Sequence, residues 1–339
     1  MLEIKKHFSP YPLKNQWKNF ENEGIGIYQS YYVQKMIFKR LPIYSIKGKY
    51  HAVYYEIVDN GKTVMIAPLC RFNKTNNYSI IGLFNGLQVY DFVYNHSVPV
   101  EKINEYVIFL LRSIDFVSLS IKNMISSSLV LEAIKRVNGL VLDEEQSENV
   151  SILIGNNYDE YFGKLSKHTR QNIRTAYNRI IRDNINIDFN ECIDQKINRQ
   201  ELNELIDLYC DRHEKRYGVY SSKYKRFYLK YFDFSTLCQQ NYHNYYAILK
   251  FNNTNAAFLS GLIDKNSHSI IVPRLSINDE FLKYSPGMIL INETAKKISD
   301  YCDIDYLDLS KGNEKYKLSM GGKIYYTVNF SINRRINEG

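Results

Sequence analysis

Three predicted elements between residues 269 and 309 constrain the fold of this chain more than any other feature. A strand is predicted at Ser269 to Leu275, a helix at Gly287 to Cys302 and a second strand at Ile304 to Leu309. The helix carries its apolar residues on one stripe, at Ile291, Ala295, Ile298 and Cys302. Strand, helix and strand in this order indicate a mixed α/β fold for this part of the chain.

Both halves of the chain mix strands and helices. Asn60-Gly61 lies between two apolar stretches and predicts a β-hairpin of His51 to Val58 with Thr63 to Leu69. Further strands are expected at Asp115 to Leu119, Leu140 to Asp143, Val150 to Ile154, Tyr245 to Phe251, Ala256 to Ile263 and Lys323 to Ile332. Helices are expected at Tyr28 to Arg40, Val100 to Ser113, Ile125 to Val137, Tyr158 to Asp183, Glu201 to Tyr217 and Ser221 to Gln240. The predicted fold class is therefore α/β with mixed α+β sheets.

The length of 339 residues suggests two domains. The acidic and unpatterned stretch from Asp143 to Glu148 lies near the middle of the chain and is the best candidate for their boundary. We therefore expect an N-terminal domain of residues 1–146 and a C-terminal domain of residues 147–339. A solvated turn within one domain is the alternative reading of this acidic stretch.

The net charge of +8 favours anionic partners, namely phosphates, cofactors, nucleic acid or a membrane surface, without choosing among them. The five cysteines are scattered singly, so we expect reduced thiols and no zinc or other metal site. We expect no signal peptide, and no apolar run approaches the roughly 18 residues of a membrane span. These features predict a soluble, cytoplasmic protein.

A Ser-Pro-Gly turn precedes the predicted helix at residues 285–287. The Ser285 hydroxyl is suited to cap the helix, Pro286 suits its first position, and Gly287 lets a ligand approach the backbone closely. Unpaired N–H groups and the positive end of the helix dipole then make a phosphate site. We assign this predicted site to Ser285, Pro286, Gly287, Met288 and Ile289. The alternative is a well-capped helix that binds nothing.

A second group of polar residues follows the next strand. Residues 306–317 run from that strand through a glycine-containing turn into a short segment with Tyr and Lys. Asp308, Glu314, Tyr316 and Lys317 are therefore expected near the carboxyl end of the strand, where sites in α/β sheets often lie. The alternative is a polar loop with a buried tyrosine.

A basic helix is predicted in the first part of the second half. Residues 163–182 contain only cations among their charged residues: Lys164, Lys167, Arg170, Arg174, Arg179 and Arg182. Lys167, Arg170 and Arg174 share one helix face. With Arg216 at the end of the next helix, they are candidates to bind a phosphorylated acceptor, a CoA phosphate or tRNA. The alternative for the basic helix is a solvated face, and the alternative for Arg216 is that it offsets the dipole at the end of its own helix.

Together these motifs resemble a known family. Ser285-Pro286-Gly287 before a helix and Asp308-Leu309-Ser310-Lys311-Gly312-Asn313-Glu314-Lys315-Tyr316-Lys317 after a strand are similar to the second domain of certain GNAT-fold acyltransferases. These are grouped with the CelD/BcsL cellulose-biosynthesis acetyltransferases, and the Fem-type peptidyltransferases are wider relatives. Residues 165–176 look like the family's basic helix, and Ala67-Pro68-Leu69 and Tyr90-Asp91-Phe92 resemble parts of its first domain.

The resemblance implies two tandem GNAT-like domains in a Fem-like arrangement, the first of them degenerate. It also implies an N-acyltransferase with acyl-CoA, first of all acetyl-CoA, as co-substrate, whose pyrophosphate would lie at Gly287 and Met288 beside two splayed strands. Tyr316 would protonate the leaving thiolate, and Lys317 would stabilise the oxyanion or a phosphate. Asp308 or Glu314 would accept the proton of the amine.

The implied acceptor is the amine of an amino sugar or similar compound, free or linked to a nucleotide or lipid, in cell-surface polysaccharide or envelope biosynthesis. The usual GNAT phosphate loop, Q/R-x-x-G-x-G/A, has more glycines than this chain, which has only Gly287 there. Fem-type transfer from aminoacyl-tRNA is therefore the alternative, and tRNA is expected as a partner only in that case. A non-catalytic module that binds anions or nucleic acid is a further alternative.

Overall fold

A computed structural model describes residues 1–44, 50–73, 75–81, 90–218 and 241–334 of the protein. The chain divides into two compact units: Met1–Glu148 with the segment Tyr326–Gly339, and Asn149–Tyr325. The C-terminal segment, which we expected in the second domain, belongs instead to the first unit because its strand pairs there, Thr327 with Ile125 and Asn333 with Ser118. The helix predicted at 221–240 lies outside the described residues.

The first unit holds a mixed sheet with helices. Its strands are β1 (Leu2–His7), β2 (Tyr50–Asp59), β3 (Lys62–Phe72), β4 (Asn77–Ile80), β5 (Val93–Tyr94) and β6 (Ser118–Ile125). Its helices are α1 (Lys14–Asn22), α2 (Tyr31–Tyr44), α3 (Val100–Ser113) and α4 (Leu129–Lys135). The predicted hairpin at Asn60-Gly61 is confirmed: both residues have positive φ, and Asp59 pairs with Lys62.

Two elements between residues 125 and 154 have other bounds in the structure than the sequence predicted. The strands expected at 140–143 and 150–154 are one continuous strand, β7 (Leu140–Leu153), so the acidic residues between them are part of a strand. The helix expected at 125–137 begins only at Leu129, because Ile125 still pairs in β6 and the Ser128 hydroxyl caps α4. Asp143 to Gln146 are four consecutive exposed residues of this strand, which explains why the sequence suggested a turn here.

The second unit contains the Ser-Pro-Gly turn and residues 306–317, where the site is predicted. Its helices are α5 (Tyr158–Lys164), α6 (Lys167–Arg182), α7 (Arg199–Tyr217), α8 (Pro286–Ile298) and α9 (Lys315–Ser319). Its further strands are β8 (Ile187–Ile193), β9 (Tyr242–Phe251), β10 (Thr254–Asp264), β11 (Ser269–Ile277) and β12 (Tyr306–Lys311), and β13 (Gly322–Arg334) ends the described chain. Strand order in this unit is β7-β12-β11-β10-β9-β8. All of these pairs are antiparallel except β11 with β12.

Alternate residues of β9 face two apolar clusters. Tyr245, Ala247 and Leu249 pack in one cluster with α6 and α8, whereas Tyr246 and Ile248 pack with Leu205 and Ile206 of α7. We call these the α8 face and the α7 face of the sheet. The period of two along a buried strand therefore assigns α6 and α8 to one side and α7 to the other.

The single helix predicted at 158–183 is two helices, α5 and α6. Ser166 has extended backbone and its hydroxyl accepts a hydrogen bond from the Thr169 N–H, which starts a new helix. Among the described helices, none combines the length and apolar character needed to cross a membrane.

Candidate functional site

The parallel strands β11 and β12 are paired over only three positions. Ser269 to Ile271 lie opposite Tyr306 to Asp308, and beyond Ile271 the described residues of these strands show no further pairing with each other. β11 continues for six residues beyond this point, to Ile277. Backbone polar groups along the separated edges need other partners. The two central strands therefore leave an opening, which we call the β11–β12 opening.

A β-bulge in β11 lies where the opening begins. Leu262 of β10 pairs with Ile271, but Ser260 pairs with Arg274, so β11 has one extra residue between these positions. A Cβ atom on Gly261 would lie 2.2 Å from the Ile271 carbonyl oxygen. Only glycine therefore lets β10 and β11 approach at the bulge.

The start of α8 differs in part from the prediction. Pro286 is the first helical residue as expected, but Ser285 has a φ of 53° and its side chain makes no capping hydrogen bond. The N–H groups of Met288 and Ile289 donate to the Ser285 carbonyl oxygen, at 3.0 and 3.2 Å. Among the residues that the structure describes, the Gly287 N–H is thus the one amide of this turn without a partner. The expected group of several free N–H donors is reduced to one.

The predicted donor-binding residues also pack into the core. Pro286 and Ile289 are buried, and Met288 packs against the cluster on the α8 face. A Cβ atom on Gly287 would lie 3.3 Å from Cγ2 of Ile277, at the end of β11. This glycine therefore brings the start of α8 close to the β11–β12 opening.

Asp308 lies on β12 at the last paired position before the opening. Its Oδ2 accepts a hydrogen bond from the Tyr325 hydroxyl at 2.8 Å, and its Oδ1 accepts one from the Ser310 N–H at 2.7 Å. Burial raises the pKa of Asp308 to about 6, while these two hydrogen bonds and the charge of Lys317 act in the opposite direction. A carboxyl group with this pKa exchanges protons readily near neutral pH.

Lys317 is buried, with about one-twentieth of its surface exposed. Its Nζ donates to the carbonyl oxygens of Leu309, Lys311 and Gly312 at 3.0, 2.8 and 3.2 Å. It also lies 3.0 Å from Oε2 of Glu314. All three ammonium protons are therefore engaged by the chain itself. Lys317 is therefore not a solvated surface side chain, and its observed contacts hold the turn between β12 and α9 together.

The other two predicted catalytic residues lie in the same turn. The Glu314 carboxylate forms an ion pair with Lys317. Gly312 has a φ of +100°, and a Cβ atom on it would lie only 2.6 Å from Oε2 of Glu314. Tyr316 is half-buried and packs against the cluster on the α8 face. The structure thus gathers Asp308, Glu314, Tyr316 and Lys317 around the end of β12.

The predicted basic residues do not form one group. Lys167 and Arg174 are exposed, and the Arg174 guanidinium lies 5.9 Å from the centre of the Phe162 ring. Arg170 donates to the carbonyl oxygens of Gly163 and Leu165, so it caps the end of α5. Arg216 belongs to α7, on the opposite face of the sheet from α6, and its side chain lies outside the described part of the structure.

Two residues near the opening were not predicted as site residues. Ser310 follows Asp308 with a φ of 55°, and its buried hydroxyl has no hydrogen-bond partner among the described residues. Tyr325 reaches Asp308 from β13, 17 residues along the chain. The strained backbone and the unpartnered hydroxyl of Ser310 are typical of functional positions. No local sequence signal marks Tyr325, because its contact with Asp308 depends on the fold.

Within the described residues, no group of three or more His, Cys, Asp and Glu side chains is arranged to hold a metal ion. Residues 167–318 match the sequence profile of a family described as acetyltransferase (GNAT) domain. This segment contains the basic helix, the Ser-Pro-Gly turn and the end of β12. Among curated proteins, none matches the chain significantly in sequence.

Solved structures share the fold over nearly the whole chain. The crystal structure of FemX has a TM-score of 0.61 at 11% identity and covers 97% of this chain and 96% of its own. A conserved protein of unknown function from Bacteroides thetaiotaomicron has a TM-score of 0.57 at 13% identity, covering 98% and 100%. The C-terminal domain of a protein assigned as a lysylphosphatidylglycerol synthetase from Agrobacterium fabrum has a TM-score of 0.56 at 10% identity, covering 96% and 93%. The expected GNAT-like, Fem-like α/β fold is confirmed.

Proposed function

We propose that this chain, whose residues 167–318 match the GNAT acetyltransferase domain family, is an N-acyltransferase that moves an acyl group from acyl-CoA to an amine. The observation that carries the proposal is the β11–β12 opening within the matched segment. A thioester donor with an extended, amide-containing arm suits an opening lined by separated strand edges, because those backbone groups can pair with amides. The residues beside the opening supply the remaining polar contacts.

The donor would be held by residues on both sides of the opening. The Gly287 N–H, without a partner among the described residues, suits a phosphate oxygen at the start of α8. The Ser310 hydroxyl is buried and has no hydrogen-bond partner among the described residues, so it suits a carbonyl or amide of the donor. Bound acyl-CoA supplies the activated thioester carbonyl. Acetyl-CoA is the first donor to test.

Asp308 is the proposed base. Its pKa of about 6 leaves it mostly ionised at neutral pH, so it is able to accept a proton from the acceptor's ammonium group before attack, or from the amine as it attacks. The Tyr325 hydroxyl and the Ser310 N–H fix the orientation of the carboxylate. Tyr316 is proposed to protonate the leaving thiolate. Lys317 and Glu314 are proposed to act through the turn that carries Tyr316, because their charges neutralise each other.

The proposed acceptor is the amine of an amino sugar or similar compound, free or linked to a nucleotide or lipid, in polysaccharide or envelope biosynthesis. The exposed cations Lys167 and Arg174 and the net charge of +8 support an acceptor that carries phosphate. Arg170 is left out of this role because its guanidinium caps α5.

Aminoacyl-tRNA is the second candidate donor. The similarity to FemX and to the lysylphosphatidylglycerol synthetase domain supports it. The start of α8 supports it as well, since a single free N–H offers less to a pyrophosphate than a glycine-rich loop does. A non-catalytic module that binds anions or nucleic acid would need neither Asp308 nor Tyr316.

A thermal-shift titration with acetyl-CoA, longer acyl-CoAs, free CoA and aminoacyl-tRNA tests the donor. A ligand that binds only the folded state raises the melting temperature. We expect a CoA ester to stabilise the wild type, and not Gly287→Trp, while the matched control Gly163→Trp, an exposed site with nothing within 4 Å of its Cβ, responds like the wild type. Ser310→Ala provides a second, less disruptive variant. Stabilisation by aminoacyl-tRNA alone would replace acyl-CoA as donor, and no stabilisation by any of them would contradict the acyltransferase proposal.

A further inference from the structure

Three residues of neighbouring strands lie opposite one another on the α7 face of the sheet. Ser260 of β10 pairs with Tyr246 of β9 on one side and with Arg274 of β11 on the other. Directly opposed residues of antiparallel strands project from the same face, and Tyr246 packs in the cluster with α7. We call these three side chains the Arg274 row. None of them is among the proposed donor-binding or catalytic residues.

The β-bulge in β11 places Arg274 on the α7 face. Val272 of β11 belongs to the apolar cluster on the α8 face, and regular alternation would turn residue 274 to the same side. The extra residue before Arg274 reverses the alternation, so that Leu275 packs against the cluster on the α8 face instead. The bulge therefore keeps a guanidinium out of the apolar cluster and brings it opposite Ser260.

All three side chains of the Arg274 row are buried. Tyr246 is 2% exposed, Ser260 0% and Arg274 6%. The Ser260 hydroxyl has no hydrogen-bond partner in the described part of the chain, which costs stability where water is excluded. On the same face, the Ser276 hydroxyl donates to the Leu208 carbonyl oxygen of α7 at 3.2 Å. The buried Ser260 hydroxyl needs an explanation, and a bound polar ligand supplies one.

Asp308, the proposed base, faces the same side of the sheet as the Arg274 row. Its neighbours Leu307 and Leu309 belong to the cluster on the α8 face, so Asp308 projects towards the α7 face. Asp308 pairs with Ile271, and Arg274 lies on β11 three residues beyond that pair. The described residues of β11 and β12 show no pairing beyond Ile271, so Arg274 borders the β11–β12 opening on the face of the proposed base.

We propose that Arg274 and Ser260 bind an anionic group, a phosphate or a carboxylate, that the amine acceptor carries. The planar guanidinium matches two oxygens of such a group, and the serine hydroxyl supplies a further donor. Three strand residues span at most about 10 Å, so the amine at Asp308 and the anion at Arg274 should belong to one sugar unit or a group of similar size. This assignment rests on the proposed acyl transfer, because it takes Asp308 as the place of the amine.

Isothermal titration calorimetry of the full chain, without any acyl donor, tests this subsite. The probes are glucosamine, glucosamine 6-phosphate and glucosaminuronic acid, which share the amine and differ in the anionic group. We expect at least one anionic sugar to bind about tenfold or more tightly than glucosamine, because charge-assisted hydrogen bonds are gained. The sugar that shows the preference distinguishes phosphate from carboxylate. Equal affinity of all three sugars, or binding of none, would overturn the proposal.

Substitutions locate the preference in the Arg274 row. Arg274→Gln should remove it, Ser260→Ala should reduce it, and Arg274→Lys should retain part of it because the charge stays while the planar fork is lost. Arg199→Gln, at an exposed position of α7, is the matched control and should bind as the wild type does. Melting temperatures are recorded for every variant.

Ser260→Ala keeps the test decisive if the buried position of Arg274 does not tolerate glutamine, because the Ser260 hydroxyl makes no hydrogen bond among the described residues. An undiminished preference in folded Arg274→Gln, or in Ser260→Ala where Arg274→Gln does not fold, would overturn the proposal.

Failure of the acyl transfer itself gives a different result. Absence of CoA release with every amine, together with Arg274-dependent binding of an anionic sugar, would contradict the transfer reaction and support the subsite. Amine-dependent CoA release by a protein that binds all three sugars equally would contradict the subsite and support the reaction.

Discussion

The Tyr325 hydroxyl donates a 2.8 Å hydrogen bond to Oδ2 of Asp308, the carboxyl group at the mouth of the β11–β12 opening. This hydrogen bond stabilises the ionised carboxylate and so holds its pKa lower than burial alone would set it. The two residues connect β12 and β13 at the point where the proposed base lies.

Tyr325→Phe should raise the pKa of Asp308 above about 6 by up to about one unit, because a hydrogen bond to a charged group is lost. The carboxylate would then form at higher pH, so the rise of kcat/KM with pH should move to higher pH. A pH profile of both enzymes measures this. Tyr326→Phe, at the exposed neighbour, should leave the profile in place; an unshifted profile in Tyr325→Phe would remove Asp308 from the role of base.

Ser310→Ala should lower donor affinity or kcat with little change in stability. Its hydroxyl makes no hydrogen bond among the described residues, so the folded state loses none. Chemical denaturation and steady-state kinetics measure the two effects. Ser128→Ala is the contrasting control, because the Ser128 hydroxyl caps α4 and its loss should cost about 1 kcal/mol. A Ser310→Ala enzyme with wild-type kinetics would show that this hydroxyl contacts no substrate.

Lys317→Met should lower the free energy of unfolding by about 3 kcal/mol, since it leaves three carbonyl oxygens and the Glu314 carboxylate without their cation. Lys315→Met, at an exposed position of the same short helix, should change it little. Urea denaturation of both variants measures the difference. Equal stability of the two variants would mean that Lys317 is free for another role.

The buried carboxyl group of Asp91 should make the stability of the first unit depend on pH. Burial raises its pKa to about 7, against hydrogen bonds from Ser128, the Phe92 N–H and Tyr94. The folded state therefore keeps a proton that the unfolded state loses near pH 4, so this contribution to stability is full below about pH 4 and falls as pH rises towards about 7. The fall is at most about 4 kcal/mol.

Fluorescence of Trp17 measures this effect, because it is the only tryptophan and is buried in the first unit. Asp91→Asn should flatten the decline of stability between about pH 4 and about pH 7. The exposed control Asp143→Asn should keep the decline. An equally steep decline in Asp91→Asn would assign the pH dependence to other groups.

Local patterns predicted much of the second unit. The strand, Ser-Pro-Gly turn, helix and strand between Ser269 and Lys311 appear in order, because their periodicity and turn residues act over short distances. The capping role of Ser285 was predicted wrongly, since its backbone is left-handed and its side chain makes no capping hydrogen bond. The burial of Lys317 was not predicted because it arises from a turn that folds back on β12. The contact of Tyr325 with Asp308 depends on strand pairing, which no local pattern encodes.

Release of free CoA from acetyl-CoA in the presence of amino sugars measures the proposed acyl transfer itself. We expect amine-dependent thiol release by the wild type and a loss of about a hundredfold or more in Asp308→Asn, the range expected for removal of a general base. Asp300→Asn, at an exposed carboxylate of the same unit, is the matched control. Amine-dependent release at the wild-type rate in Asp308→Asn would contradict the proposed base. No release from acetyl-CoA or any longer acyl-CoA, with transfer from aminoacyl-tRNA instead, would contradict acyl-CoA as the donor.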